Sequence, residues 1–167
     1  MRTAGQIYGL AVVIEGTGDR VGRIQDVLFE PSGQVSAFLI HPGGLLAKPQ
    51  ILPRLFVRTL GDDALLIEGG RVLEDAARDP AVENSIHARG LDNRPILDDA
   101  GKVIGKVDDI VLDEPNLAVT ALVVGTSTFN AMLHGKPRIP FAMVKTIGKD
   151  SVVIPATFDL QTAERSR

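Results

Sequence analysis

The chain has 167 residues, a formal net charge of -3, 44% hydrophobic and 23% charged residues, and no cysteine. Without cysteine it forms no disulfide, thiolate metal site or cysteine nucleophile, and its acidic balance gives no overall positive field to attract a nucleic acid backbone. These hydrophobic and charged fractions are typical of a folded protein, so we expect order almost throughout.

The first half of the chain predicts short strands separated by turns. The apolar run before Glu15 is too brief for a membrane span and has no cleavage site, so we expect a cytoplasmic protein. With no long helical period between them, such strands are typical of a small antiparallel β-barrel. The predicted strands are 11–14, 20–30, 35–40, 51–52, 56–60 and 64–67.

A linker and a second set of strands follow. Within the linker, 72–78 predicts about two helical turns before Pro80. The tail is polar, with Phe158 and Leu160 as its anchors, and predicts a short helix or a frayed end. The predicted strands are 95–97, 103–112, 118–124, 138–140, 144–147 and 151–154. The resulting boundaries are 1–70 for the first repeat, 71–87 for the linker, 88–156 for the second repeat and 157–167 for the tail.

The two halves are copies of one unit. Residues 22–30 match residues 105–113 at an offset of 83, with one position changed in character. A second block, which begins at Pro53 in one half and at Pro140 in the other, matches at an offset of 87. Two matched blocks in the same order predict a tandem duplication with a small insertion between the blocks of the second copy.

The longest strand of each copy predicts an irregularity. Its apolar positions, such as Ile24 and Val27, are three apart, whereas regular alternation places buried residues two apart. A β-bulge inserts one extra residue and so changes which side chains after it face the core. We therefore expect the carboxylates of Asp26 and Asp109 to accept hydrogen bonds from backbone N–H groups freed at the bulge.

These repeated positions carry a family resemblance. In each copy a glycine and an aspartate open a strand, a turn and an alternating strand follow, and a leucine or isoleucine then precedes a proline. This pattern resembles the PRC-barrel family. The shared positions are Gly22, Asp26 and Pro53 in the first copy and Gly105, Asp109 and Pro140 in the second.

The PRC-barrel family includes the cytoplasmic part of the photosynthetic reaction centre H subunit, and a related barrel forms the C-terminal half of a ribosome maturation factor. The resemblance implies six-stranded β-barrels that serve as interaction modules and carry no catalytic residue set. We expect the chain to differ from the H subunit in lacking a membrane helix and from the maturation factor in lacking its N-terminal domain.

The motifs of common chemistries are not matched. The glycine-rich stretch 16–22 precedes a strand, whereas a dinucleotide fingerprint precedes a helix. His41, His87 and His134 lack zinc-site spacing, the acidic pairs lack the spacing of a calcium loop, and no serine lies in a nucleophile elbow. We therefore expect no enzyme, no catalytic residue, no metal and no cofactor.

The loop after the third strand of each copy holds apolar residues that a solvated loop does not need. Such residues mark contacts with a partner. They also suit a second interpretation, in which they plug the barrel ends or seal the two copies together. The candidate interaction residues are Leu45, Leu46 and Lys48 in the first copy and Met132, Leu133 and Lys136 in the second.

These observations favour a non-enzymatic protein-interaction or adapter module that binds a protein partner or self-associates, for instance as a homodimer. One alternative is a sensor of a small anionic ligand at the interface between the copies, which uses Lys48, Arg54, Lys136 and Arg138. Another is an RNA- or ribosome-associated factor, although the acidic net charge disfavours nucleic acid.

Overall fold

The computed structural model describes residues 1–125 and 135–160 in full and the backbone of residues 165–166. The N-terminal part contains two short helices and nine strands. In chain order these are β1 (Arg2–Thr3), α1 (Ala4–Ile7), β2 (Ala11–Ile14), β3 (Arg20–Phe29), β4 (Val35–His41), β5 (Gln50–Pro53), β6 (Val57–Leu60), β7 (Ala64–Ile67), β8 (Glu74–Asp75), α2 (Pro80–Asn84) and β9 (Ile86–His87).

The remaining described residues add seven strands. They are β10 (Pro95–Asp98), β11 (Val103–Asp113), β12 (Ala118–Gly125), β13 (Lys136–Pro140), β14 (Thr146–Ile147), β15 (Val152–Ile154) and β16 (Arg165–Ser166). Together the strands form two eight-stranded sheets, one centred on each predicted repeat. The predicted all-β fold class, with two tandem barrel-like units, is confirmed. The tail prediction falls partly on 161–164 and 167, which lie outside the described residues.

Both sheets follow the same path. The strand order is β6-β7-β2-β3-β4-β5 in the first and β14-β15-β10-β11-β12-β13 in the second. A single 3₁₀ turn, Arg54–Phe56 or Phe141–Met143, joins the two ends of each path, so each sheet coils into a barrel-like unit. The pairs β2–β7 and β10–β15 are parallel rather than antiparallel. The hairpins β6–β7 and β14–β15 reverse the chain just before these pairings, so β7 and β15 run in the same direction as β2 and β10.

The helix expected at 72–78 is wrong. Glu74 and Asp75 pair with β5 as a short strand, and the helix α2 begins instead at Pro80. Asp79 caps this helix by accepting a hydrogen bond from the amide of Ala81 at 2.8 Å. Proline is pre-organised for the first position of a helix, so Pro80 starts the helix that it was expected to follow.

Each repeat lends a short arm to the sheet of the other. The N-terminal strand β1 pairs with β11 of the second repeat, and β9, which precedes the second repeat, pairs with β3 of the first. The pairings are equivalent, since Thr3 lies opposite Val111 and His87 lies opposite Leu28. The two repeats are therefore interlocked through their sheets.

Arg2 adds polar contacts across the boundary between the two repeats. Its guanidinium donates to Glu114 Oε1 at 2.8 Å and to the carbonyl oxygens of Gly61 and Asp62 at 2.7 and 3.1 Å. The N-terminal ammonium lies 3.2 Å from the other carboxylate oxygen of Glu114. Partial burial alone would raise the pKa of Glu114, but hydrogen bonds from Arg2, from its own amide and from the N-terminus outweigh burial and lower that pKa.

Most of the buried apolar residues of both repeats form one continuous hydrophobic cluster. Within this cluster the rings of Phe29, from the first repeat, and Phe141, from the second, meet edge to face, with centroids 5.9 Å apart. The β3–β4 turn docks on the second repeat there, since the amide of Val119 donates to the carbonyl of Gly33 at 2.7 Å. Gly33 has a φ of 89°, and a Cβ at this position would lie 2.9 Å from Phe141.

Gly33→Ala should lower the free energy of unfolding by about 3 kcal/mol, because it combines a left-handed backbone with a clash against the other repeat. Gly101→Ala is the matched control: Gly101 has a φ of 85° and nothing within 4 Å of its Cβ position. The control should lose only about 1 kcal/mol. If urea unfolding shows that both variants lose the same free energy of unfolding, the close contact at Gly33 is contradicted.

Glu114→Gln should destabilise the protein by about 1.5 kcal/mol at pH 7, because hydrogen bonds to a charged group are lost. The lowered pKa means that this contribution is present above the ordinary value of 4.5 and is lost as the pH falls through the folded-state value. The stability gap between wild type and variant should therefore narrow in urea unfolding series below pH 4.5. A stability difference between wild type and variant that does not change with pH would contradict the charged hydrogen bond between Arg2 and Glu114. Glu68→Gln, at an exposed pair, serves as the control.

Candidate functional site

The loop between β4 and β5 presents two leucines to solvent. Leu45 and Leu46 are both fully exposed, and they lie next to two glycines with left-handed backbones, Gly43 and Gly44. The amide of Gly43 donates to His41 Nδ1 at 3.1 Å, and the amide of Ala47 donates to the carbonyl of Gly44 at 3.3 Å. The loop is therefore a turned structure with apolar side chains at its tip.

The structure places the leucines of this loop away from the core. Because Leu45 and Leu46 are fully exposed, they neither fill a barrel end nor seal the two copies together, so for these two residues the plug interpretation is wrong. Lys48 is exposed on the same loop. The loop extends from strands that are paired in register, and this pairing fixes where the leucine pair emerges.

The corresponding loop of the second repeat is described only at its end. Met132 and Leu133 lie outside the described residues. Lys136 is the first residue of β13, and its ammonium pairs with the carboxylate of Asp108 at 2.7 Å. Lys136 therefore stands beside the bulge of β11 rather than at a loop tip.

Asp26 occupies the predicted bulge of β3. The pairing of β3 with β4 shifts register between Ile24 and Asp26, and the buried carboxylate accepts hydrogen bonds from the amides of Val27 and Arg89 at 2.8 and 3.0 Å. The amide of Arg89 belongs to the second repeat. Asp26 therefore joins its own bulge to the arm that crosses from the other copy.

Asp109 makes the equivalent hydrogen bonds from the second repeat to the first. The pairing of β11 with β12 shifts register between Val107 and Asp109, and the carboxylate accepts from the amide of Ile110 at 2.8 Å and from that of Gly5 at 3.1 Å. Gly5 lies on α1 of the first repeat. The two aspartates thus hold equivalent segments by reciprocal hydrogen bonds.

The surroundings of Asp26 contain further polar groups. Tyr8 donates its hydroxyl to Asp26 at 3.4 Å, and the guanidinium of Arg89 lies 3.9 Å from the centre of the Tyr8 ring. Burial, followed by the negative charge of Asp26, raises the pKa of Tyr8 well above its usual value, so the phenol remains a hydrogen-bond donor. His87 lies 3.5 Å from Asp26 and contacts the carbonyl of Val82 at 2.6 Å.

The other motif residues also have structural surroundings. A Cβ at Gly22 would lie 2.6 Å from the carbonyl oxygen of His41, so a side chain there would separate β3 from β4. Gly105 lies opposite Ile96 of β10, as Gly22 lies opposite Val12 of β2. Pro53 and Pro140 end β5 and β13, directly before the 3₁₀ turns that bend each sheet.

The basic residues of the anion-sensor alternative are divided between different clefts. Arg54 lines a cleft of about 410 Å³ between the repeats, together with Glu114. Lys136 and Arg138 line another of about 360 Å³, which also contains the carboxylates of Asp108 and Asp109. Neither cleft has Lys48 among its described lining residues, so this geometry does not favour the sensor.

Two coiled sheets of one design, joined through bulge aspartates, define a duplicated barrel-type module. A family model described as PRC-barrel domain matches the chain twice, over residues 1–73 and 83–161, and the chain therefore belongs to the PRC-barrel family. The domain is generally a small non-catalytic module. No curated protein matches the chain. Within the described ranges, the helices are too short to cross a membrane.

Sequence reasoning missed the exchange of arms, although a signal was present. Ala4 and Ile7 of the first copy correspond to Ala88 and Leu91 of the second at an offset of 84, and all four are buried. The repeat thus extends upstream of the matched strand block. Recognising that a segment repeats does not, however, reveal which of the two sheets it joins.

Asp26→Ala should lower the free energy of unfolding by about 3 kcal/mol, because two amide donors lose their acceptor. Asp109→Ala, at a half-buried position, should cost about 2 kcal/mol by the same reasoning. Asp108→Ala is the matched control, since it removes an exposed carboxylate one residue away and should cost less than about 1 kcal/mol. If both bulge variants unfold in urea like the parent, the structural role of the aspartates is wrong.

Proposed function

We propose that the protein is a non-catalytic interaction module that binds a protein partner, or a second copy of itself, through the tip of the β4–β5 loop. The observation that carries this proposal is the adjacent pair of fully exposed leucines, Leu45 and Leu46. Membership of the PRC-barrel family supports the non-catalytic part of the proposal.

The energetics favour a contact at this loop. Burial of a leucine side chain against a partner contributes about 1.5–3 kcal/mol, so two adjacent leucines place a concentrated apolar contribution at one point of an interface. The turn that carries them is held by hydrogen bonds from Gly43 and Ala47, which limits the conformational entropy lost on binding. Lys48 adds a charged group beside the apolar tip, as the rim of an interface does.

The equivalent loop of the second repeat extends the proposal. Met132 and Leu133 provide apolar side chains at the corresponding place in the sequence. A duplicated module thereby offers two similar contacts on one chain, and simultaneous binding of both loops strengthens an interaction beyond either contact alone.

Leu46→Asp should weaken association at least about ten-fold, because it places a charge at the centre of the contact. Met132→Asp tests the second loop in the same way. Self-association is measured by sedimentation equilibrium of the full chain, and partner binding by quantitative co-purification. The folded state should be unaffected by Leu46→Asp, since surface substitutions usually change stability by less than about 0.5 kcal/mol.

Val103→Asp is the matched control for this experiment. Val103 is 62% exposed at the start of β11, outside the loop. Association that is lost in Leu46→Asp and kept in Val103→Asp supports the leucine pair as the contact. Association that is unchanged in Leu46→Asp, or equally reduced in both variants, contradicts it.

A further inference from the structure

Two equivalent turns meet the opposite repeat at the boundary between the copies. The β3–β4 turn holds Gly33 at a φ of 89°, and the β11–β12 turn holds Leu117 at a φ of 47°. The carbonyl of Gly33 accepts a hydrogen bond from the amide of Val119 at 2.7 Å. The carbonyl of Leu117 likewise accepts from the amide of Val35 at 2.9 Å. The duplication therefore places a glycine at one turn and a leucine in the left-handed conformation at the other.

The neighbours of these two turn positions differ as well. Phe141, in the 3₁₀ turn of the second repeat, lies against Gly33, where the absence of a side chain leaves room for the ring. Arg54 begins the other 3₁₀ turn and corresponds to Phe141 at the offset of 87. Its guanidinium donates to the carbonyl of Asn116, the residue before Leu117, at 3.0 Å. A buried ring thus fills one boundary, whereas the other has a leucine and a guanidinium.

A cleft opens beside Arg54, along the edge of β6. Its volume is about 410 Å³, and all four residues of β6, from Val57 to Leu60, line it. Successive side chains of a strand point to opposite faces, so a cleft that four successive residues line runs along the edge of the strand. Among the described residues, β6 ends its sheet and pairs only with β7. Its outer edge is therefore available to a further strand.

The charges around this cleft leave one guanidinium without a carboxylate. Glu114 lines the opposite wall and is paired with Arg2 at 2.8 Å. Arg58 is paired with Glu68 at 3.3 Å. Arg54 is half-buried, and within the described part of the chain it donates to a carbonyl and makes no ion pair. A carboxylate is the group that best satisfies the remaining N–H donors of a guanidinium.

We propose that the outer edge of β6 is a docking site for an extended segment of a partner protein, which adds a strand to the first sheet and directs a carboxylate to Arg54. Main-chain hydrogen bonds give affinity in this mode of recognition, and pockets for alternate side chains give specificity. Val57, Pro115 and Leu117 line the cleft and suit apolar side chains of the segment. The second repeat offers a shorter edge, since β14 has two residues where β6 has four.

This site is separate from the leucine pair of the proposed function, and the two proposals fail independently. The test uses the full chain, labelled with ¹⁵N, and a synthetic end-capped hexapeptide of alternating valine and threonine in which one threonine is replaced by glutamate. We expect saturable shifts of the amide resonances of Arg58, Thr59 and Leu60, with a Kd below about 1 mM. Leu46→Asp should leave this binding unchanged. No saturable shift at these amides up to about 5 mM peptide would overturn the proposal.

Three further ligands identify what the site recognises. The same peptide with lysine in place of glutamate should bind at least about ten-fold more weakly, because it brings a like charge to Arg54. N-methylation of every peptide amide should abolish binding, because it removes the donors of the added strand. Sodium acetate has the carboxylate without the strand and should give no saturable shift up to about 10 mM. Equal binding by the lysine or methylated peptide, or saturation by acetate, would overturn the proposal.

Variants of the protein test the same contact from the other side. Arg54→Gln should weaken peptide binding about ten-fold, whereas Arg20→Gln, at an exposed position of β3, should leave it unchanged. Arg54→Phe combined with Leu117→Gly copies the pair of Phe141 and Gly33 and should fill the cleft. This double variant should lose binding and still unfold cooperatively in urea. Binding that survives in Arg54→Gln or in the folded double variant, or that falls equally in Arg20→Gln, would overturn the proposal.

Discussion

The reciprocal hydrogen bonds of two bulge aspartates are the constraint on which the architecture depends. Each long strand breaks its pairing at one residue, and the carboxylate beside that break accepts from its own next amide and from an amide of the other repeat. A buried carboxylate needs such donors to be tolerated. Asp26 and Asp109 each find one donor across the boundary, where the repeats also exchange arms and share the main hydrophobic cluster.

The duplication also shows where the two repeats are alike and where they differ. Where the sheets interlock the two repeats are closely equivalent, down to paired residues and hydroxyl contacts. They differ on their outer faces, since the linker covers that of the first repeat, whereas Met1 and Phe158 line that of the second, where β16 pairs with β13. Positions that serve the shared core cannot change without loss of stability, so differences in binding between the repeats are concentrated at these faces and at the loops.

Much of the fold could be predicted from the sequence because its signals are local. The strand β7 was expected at its observed bounds, and the spacing of Ile24 and Val27 predicted the bulge that the structure shows. The linker helix was misplaced, since Pro80 was treated as a stop signal although it begins the helix. The exchange of β1 and β9 was not foreseen, because the sheet that each arm joins depends on how the two repeats combine. The leucine pair was recognised as apolar, but only coordinates show that it is exposed.

The exchange of β1 and β9 takes place within one polypeptide. When two separate molecules exchange arms, association loses translational entropy, and the folded fraction rises with protein concentration. Here the linker holds the two exchanging units at a high effective concentration, so the interlocked state forms by a unimolecular process. The architecture thereby gains the interdigitation of a swapped dimer and remains intact at any dilution.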